Sequence, residues 1–168
     1  MRIALIGYMG CGKSTAGKLL AERLNLPFID LDKEIEHREG KSIPEIFAQQ
    51  GEAGFRERES AALNHALAGT TDFILSVGGG TPCFFNNMET LNIRCLTVYL
   101  SCRASTLVKR IADTEDERPL LTSIESIETH LNQRAPYYEK AHHTISSELP
   151  IEDVVEQLER LATKHANE

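Results

Sequence analysis

The sequence predicts an α/β fold: a parallel sheet covered by helices on both faces. Three observations lead there. Short apolar runs such as Arg2–Ile6, Phe73–Val77 and Arg94–Leu100 alternate with stretches of helical pattern. The first apolar run passes at once into a glycine-rich loop, Gly7-Tyr8-Met9-Gly10-Cys11-Gly12-Lys13-Ser14-Thr15, and then into a helix. The chain, at 168 residues, is long enough for one domain with a full core and too short for two large ones.

Taken in order, Arg2–Ile6 is compact and apolar, as a buried parallel strand should be. Ser14 to Leu24 carries Leu19, Leu20 and Leu24 at helical spacing. Pro27-Phe28-Ile29-Asp30 reads as a second short strand, and Asp32 to Glu39 as a helix with Gly40 just past its end. Ser42 with Glu45 forms a capping box for a helix that Gly51 closes. Glu52 to Ala68 is helical again, so residues 32–68 form a helical insertion between strands. Phe73–Val77 is the third strand, followed directly by Gly78-Gly79-Gly80. A short helix over Asn87–Leu91 and a fourth strand over Arg94–Leu100 come next. Ser101 is expected to cap a helix running to about Asp113. The polar, acidic residues 114–117 read as a mobile loop. Ser123 to Ala141 is helical in pattern, with Pro136 expected to kink or break it. Thr144-Ile145 centres a weak fifth strand. Ile151, Val154, Val155, Leu158, Leu161 and Ala162 form one face of a closing helix, with Pro150 suited to its first turn.

Composition bounds the function. Hydrophobic residues make up 41% and charged residues 26%, the balance of a globular protein. A net charge of −7 argues against a general nucleic-acid binder, while leaving anionic small substrates open. No apolar run approaches the roughly 20 residues a membrane helix needs, and no signal-peptide pattern precedes the first strand. Cys11, Cys83, Cys95 and Cys102 show no C-x-x-C pairing, which suggests reduced thiols and a cytoplasmic location. Cys11, inside the glycine loop, is expected to be the most accessible of them.

The loop fits G-x-x-x-x-G-K-[ST]. Its glycines let the backbone curl until several N–H groups face one hollow, and the following helix adds its own free N–H groups. Lys13 would reach β- and γ-phosphates, and the Ser14 hydroxyl a Mg²⁺ ion. Asp30 and Asp32 stand at the carboxyl end of the second strand, where open α/β sheets bind ligands. Two carboxylates there can serve neighbouring tasks, one near a metal and one on an acceptor hydroxyl. The plainer reading makes Asp32 a helix cap and Asp30 a solvated strand end. The third strand carries Ser76 rather than an Asp at its end, so Asp30 is the natural metal partner. Gly78 to Gly80 allow close approach of a ligand to the backbone. Arg56, Arg118 and Arg134 offer planar forks that match a carboxylate, whereas Arg58 and Arg110 are ambiguous. His142-His143 lacks a partner at metal spacing and reads as structural or surface.

Together the runs GYMGCGKST, FIDLD, GKSIPEIFAQQGEAGFRERE, SVGGGTP, ERPLL and QRAPYYEKA closely resemble the shikimate kinases of the P-loop nucleoside-monophosphate-kinase-like group. The resemblance covers almost the whole chain. It implies a three-layer fold with five parallel strands in order 2-3-1-4-5, a single kinase domain with a substrate-binding insertion at about residues 32–62 and a lid at about 112–122. It implies transfer of the γ-phosphoryl of ATP, with Mg²⁺, to the 3-hydroxyl of shikimate on the route to chorismate and aromatic amino acids. The expected partners are ATP and shikimate, without nucleic acid or membrane, in a monomer.

By the same resemblance Ser14 and Asp30 match the metal-linked positions, and Asp32, Arg56, Arg134 and Gly78, Gly79 and Gly80 the shikimate-binding positions. Gly10, Cys11, Gly12, Lys13, Ser14 and Thr15 match the ATP-binding loop. Arg118 matches the lid arginine, Arg110 a position near the adenine, and Lys13, Asp32 and Arg118 the catalytic set. The family often has an arginine shortly after the fifth strand, where this chain reads Ser146-Ser147-Glu148-Leu149-Pro150. Two other readings stay open: a P-loop kinase for another hydroxylated acceptor such as gluconate, and a nucleotide-binding regulatory module without transfer activity.

Overall fold

The computed structural model describes residues 1–113 and 123–167. Five strands form one parallel sheet: β1 (Arg2–Ile6), β2 (Phe28–Asp30), β3 (Phe73–Ser76), β4 (Leu96–Ser101) and β5 (His143–Ser146). Their order is β2-β3-β1-β4-β5, as expected, with Ile3 opposite both Ile74 and Leu96. The helices are α1 (Lys13–Leu24), α2 (Leu31–Glu39), α3 (Ile43–Ala68), α4 (Asn87–Arg94), α5 (Ala104–Ala112), α6 (Ile124–Tyr138) and α7 (Ile151–Ala166). A short 3₁₀ turn covers Thr81–Cys83.

Strand alternation sorts the core into two layers. Ile3 and Leu5 of β1 face one side, with Val98 and Leu100 of β4, and pack against α1, α5, α6 and α7 through residues such as Leu20, Leu107, Ile127 and Leu158. Ala4 and Ile6 face the other side, with Phe73 and Leu75 of β3, and meet Leu31, Ile46, Phe55, Leu63 and Met88 of α2, α3 and α4. The helical insertion is therefore part of the second layer rather than an appendage.

Element ends depart from expectation in informative ways. Asp30, not Asp32, caps α2: its Oδ1 accepts from the backbone N–H of Asp32 at 3.1 Å and of Lys33 at 3.5 Å. Ser101 does not cap a helix. It extends β4 opposite Ser146, its carbonyl accepts from Ser147 N–H at 2.8 Å, and α5 starts after Arg103 with no side-chain cap. Arg94 belongs to α4 rather than β4. Pro136 neither breaks nor ends α6, which runs on to Tyr138. Pro136 forgoes one bond to the carbonyl four residues back, but only two helical residues follow it, so little helix is left for the distortion to break. His142 is structural: its Nδ1 accepts from Thr97 N–H at 3.1 Å, and burial lowers its pKa, with His143 and His165 adding to the effect.

The expected stop at Gly51 is present: α3 is two helical segments that meet at a sharp break, where Gly51 takes φ 68° and ψ −174°. That backbone region is open essentially to glycine alone. Nothing lies within 4 Å of a Cβ built there, so a side chain would meet backbone strain and no steric clash. Gly51→Ala is expected to destabilise the fold by about 1–3 kcal/mol, read as a lower urea midpoint at unchanged slope. An unshifted midpoint would mean that the break is not strained.

Candidate functional site

The site lies beyond the carboxyl ends of the strands, where β1, β2 and β3 each hand the chain to a loop or helix. After β1 the backbone turns through Gly7, Gly10 and Gly12, with φ of 145°, 78° and 96°. Gly12 is the N-cap of α1 and has no side chain to occupy the helix's first N–H groups. Lys13 is buried and folds back over the loop, its Nζ donating to the carbonyls of Gly7 at 2.8 Å and Tyr8 at 2.9 Å. Ser14 Oγ donates to Asp30 Oδ2 at 3.2 Å, while Thr15 is exposed. Asp30 thus uses one oxygen to start α2 and turns the other toward the loop.

Cys11 contradicts its expected accessibility. It is 1% exposed, and its sulfur sits where a Cβ on Gly7 would come within 2.9 Å. The thiol packs into the core with Tyr8, Leu100 and Cys102, so the loop offers its backbone and hides this side chain. Cys83 is the more exposed thiol.

Arg110 belongs to the loop's support. Its Nη1 donates to Cys11 O at 3.2 Å and its Nη2 to Ser147 O at 2.7 Å. A guanidinium therefore does reach the segment after β5, but it comes from α5. Arg58 is a brace, donating to Glu39 at 2.9 Å and Gly54 O at 3.2 Å.

The second half of the site forms around Gly78–Gly80. A Cβ on Gly78 would stand 3.2 Å from Asp32 Oδ1, 3.2 Å from Glu59 Oε2 and 3.1 Å from Thr81 Oγ1. One on Gly79 would stand 3.0 Å from Arg134 Nη1, and one on Gly80 would overlap the Arg56 guanidinium. Absent side chains thus let an acid and two arginines from α2, α3 and α6 converge on one backbone strip. The strip is held from below: Tyr138 Oη donates to Gly79 O at 2.5 Å, and burial raises the Tyr138 pKa far above that of a free phenol, so this proton stays.

Arg56 is 8% exposed, and its Nη1 donates to Glu59 Oε1 at 2.8 Å. Glu59, 1% exposed, also accepts from Thr81 Oγ1 at 2.8 Å. Phe84 lies 4.2 Å and Phe55 5.1 Å from the guanidinium carbon. Arg56 Nε, though buried, has no hydrogen-bond partner among the described residues. A buried donor without an acceptor is costly, so Arg56 Nε is a local strain on this packing. The sequence reading missed Glu59, Thr81, Phe84 and Tyr138. The spacing of Glu59 three residues after Arg56 on a helix was an available signal for the first. Arg118 and most of the expected lid lie outside the described residues.

No group of three or more His, Cys, Asp or Glu among the described residues could hold a metal ion. Ser14 and Asp30 instead supply two hard oxygen donors beside the phosphate loop. That donor set suits Mg²⁺, which takes few protein ligands and completes its shell with water and phosphate oxygens.

A family model described as shikimate kinase matches residues 9–162. The shikimate kinase of Bacteroides thetaiotaomicron is 41% identical over an alignment of 172 positions, gaps included, spanning 96% of this chain and 98% of that protein. That of Flavobacterium psychrophilum is 37% identical, spanning 95% and 98%. Among solved structures, the Bacteroides thetaiotaomicron shikimate kinase superposes with a TM-score of 0.90 at 38% identity, covering 97% of this chain and 98% of that one. The Acinetobacter baumannii shikimate kinase in complex with shikimate gives 0.88 at 36%, covering 98% and 93%. A deoxyadenosine kinase from M. mycoides with bound dATP gives 0.65 at 16% identity over the whole of both chains, a likeness of fold alone.

Gly80 has φ −90° and ψ −13°, a conformation that alanine accepts. The Arg56 guanidinium is then the obstacle to a side chain there. Gly80→Ala is expected to displace it and to weaken shikimate binding by about tenfold or more, the scale of one charge-assisted hydrogen bond. Calorimetric titration checks this, with ATP affinity expected at the wild-type level. Wild-type affinity for both ligands would show that Arg56 does not contact the acceptor.

Proposed function

The chain belongs to the shikimate kinase family, and from that premise we propose which residues carry out its reaction, the ATP-dependent phosphorylation of shikimate to shikimate 3-phosphate. The observation that carries the reading is the convergence of Asp32, Arg56 and Arg134 on the Gly78–Gly80 backbone, next to the phosphate loop. Shikimate is a hydroxylated acid. Arg56 and Arg134 hold its carboxylate through their guanidinium forks. Gly78 to Gly80 let the ring approach the backbone. Asp32 accepts the hydrogen bond of the attacking hydroxyl and orients it.

ATP lies on Gly10, Cys11, Gly12, Ser14 and Thr15, with Arg110 at the edge of the adenine site. Lys13 exchanges its loop carbonyls for phosphate oxygens. Arg118 acts on the transferred phosphoryl. Catalysis here is mainly positioning and charge stabilisation, since a loose transition state needs little covalent help from the protein. Family members use ATP with a divalent metal; we propose Mg²⁺, held by Ser14 and Asp30, which supplies positive charge against the β- and γ-phosphates. Residues 32–62 form the acceptor-binding unit and residues 112–122 the lid of a single domain. A cytoplasmic location fits four unpaired cysteines. No described helix is long and apolar enough to cross a membrane.

Measuring ADP release with shikimate, its carboxamide, gluconate or no acceptor tests the reading. Turnover is expected with shikimate alone at low acceptor concentration. Arg56→Ala and Arg134→Ala are each expected to raise the KM for shikimate about 10- to 150-fold with little change for ATP, and non-additively if they share one carboxylate. Equal use of acid and amide by the wild type would remove the carboxylate from the argument.

Asp30→Asn and Asp32→Asn are expected to fail differently. Asparagine is a good helix cap, so Asp30→Asn keeps the start of α2 while losing the charge beside Ser14. It should raise the Mg²⁺ concentration needed for turnover. Asp32→Asn should lower kcat at saturating Mg²⁺, by less than the general-base scale of about 10²- to 10⁴-fold if the proton moves late. A Mg²⁺ titration of both variants decides. Rescue of Asp32→Asn alone by excess metal would mean that the two roles are reversed.

A further inference from the structure

Tyr8 belongs to the phosphate loop, yet it is 1% exposed and takes no part in the roles above. Two side chains of α6 hold it. Its hydroxyl is 2.9 Å from His130 Nδ1, a hydrogen bond whose direction follows the imidazole tautomer. The two rings meet edge to face, with centroids 5.4 Å apart. The guanidinium carbon of Arg134 lies 5.5 Å from the centre of the same Tyr8 ring. Residues 130 and 134 are about one helical turn apart and share a face of α6. Tyr8 is thus engaged by both, and Arg134 also approaches Gly79.

We propose that the Tyr8–His130 pair positions Arg134 against the acceptor carboxylate, and that the proton on His130 tunes the affinity of this site for its anionic acceptor. The proposal rests on reading Arg134 as a carboxylate ligand. An arginine side chain is long and loses much freedom when fixed, so a wall that limits its conformations before binding favours affinity. The Tyr8 ring is that wall, and His130 fixes the ring. The wall comes from the loop that cradles ATP, so the acceptor arginine and the phosphate site share a part.

The charges around His130 give the sign of the pH effect. Facing it are Tyr8 from the loop, Arg134 on its own helix, and Arg56 and Glu52 from α3. Burial, then Arg134 and Arg56, hold its pKa below the ordinary histidine value, and Glu52 opposes them. Burial raises the Tyr8 pKa, against Arg134, so the phenol keeps its proton. A carboxylate bound to Arg134 and Arg56 offsets the charges that repel an imidazolium. Acceptor binding therefore favours protonation of His130, and by linkage protonation tightens the acceptor. The KM for shikimate should fall as pH drops from about 8 toward 5.5, across and below the ordinary histidine range.

The test is steady-state kinetics at saturating ATP for wild type, Tyr8→Phe, His130→Leu, His130→Asn and the Tyr8→Phe/His130→Leu double variant, at both ends of that pH range. Tyr8→Phe and His130→Leu are expected to raise the KM for shikimate about three- to tenfold, the scale of one hydrogen bond. The double variant should fall short of the product of the two, with the KM for ATP unchanged. His130→Asn sets a hydrogen-bonding group near the place of Nδ1 but cannot become charged. It should keep more affinity at high pH than His130→Leu and lose the tightening at low pH. KM does not depend on the amount of active enzyme, so partial misfolding cannot imitate these results. Single variants with wild-type KM at both pH values, multiplicative effects, or wild-type pH dependence in His130→Asn would each overturn the proposal. The carboxamide of shikimate separates the two levels of argument. If wild type does not distinguish acid from amide, the reading of Arg134 fails. If wild type prefers the acid and Tyr8→Phe keeps that preference in full, only the positioning role fails.

Discussion

The acceptor half of the site depends on a strip of backbone with no side chains. Gly78, Gly79 and Gly80 each stand where a Cβ would intrude on a charged group: Asp32 and Glu59, then Arg134, then Arg56. Those groups come from three helices and meet at the strip. Bringing them together places two guanidiniums and two carboxylates along one strip, with Asp32 and Arg134 half-buried and Arg56 and Glu59 buried as an ion pair. Glu59 is held between Arg56 and Thr81, and removing one member of such a buried pair typically costs about 3–5 kcal/mol. Glu59 therefore holds the arginine in place and lowers the cost of its burial before any acceptor arrives.

The phosphate loop shows the same economy on the other side of the strip. Lys13 spends its ammonium on the carbonyls of Gly7 and Tyr8, so without phosphate oxygens the charge is already satisfied within the loop. Arg110 adds an outer brace by joining Cys11 O to Ser147 O. The chain lacks a basic residue just after β5, where the family often has an arginine. Arg110 reaches this segment from α5, and Glu148, in the place where a basic residue is common, pairs with Arg103 and Thr106.

Much of this could be read from the sequence, and the reason differs by feature. The sheet was legible because its three central strands, β1, β3 and β4, are largely buried and read as short apolar runs. The phosphate loop was legible because its chemistry needs fixed residue types at fixed spacing. Both depend on neighbours along the chain. What was not legible depends on neighbours in space. Pro136 was expected to break α6, since its cost was read without knowing how close it lay to the helix end. Cys11 was expected to be accessible because its loop is, although its sulfur turns under Gly7 into the core. Ser101 has the chemistry of a cap, but pairing with β5 claimed it for the strand. The hydrogen bond between Tyr8 and His130 joins residues 122 apart, and no local pattern announces such a contact.

The placement of Tyr8 bears on how a kinase of this build treats its two substrates. Phosphoryl transfer needs the acceptor oxygen and the γ-phosphorus held in line, and a misplacement of about 1 Å can cost 10²-fold in rate. Independent sites would each add their own positional error. Here one loop carries both Lys13 and the Tyr8 ring that lies against Arg134. Asp30 and Asp32 stand on either side of the first residue of α2. In the proposed reading these two stretches of backbone, Tyr8 to Lys13 and Asp30 to Asp32, would each join the nucleotide half of the site to the acceptor half. Covalent geometry is stiffer than packing, so in the proposed reading the backbone of the glycine loop and of the β2–α2 junction sets much of the alignment of the reacting atoms, while Glu59 and Tyr8 hold Arg56 and Arg134 in place.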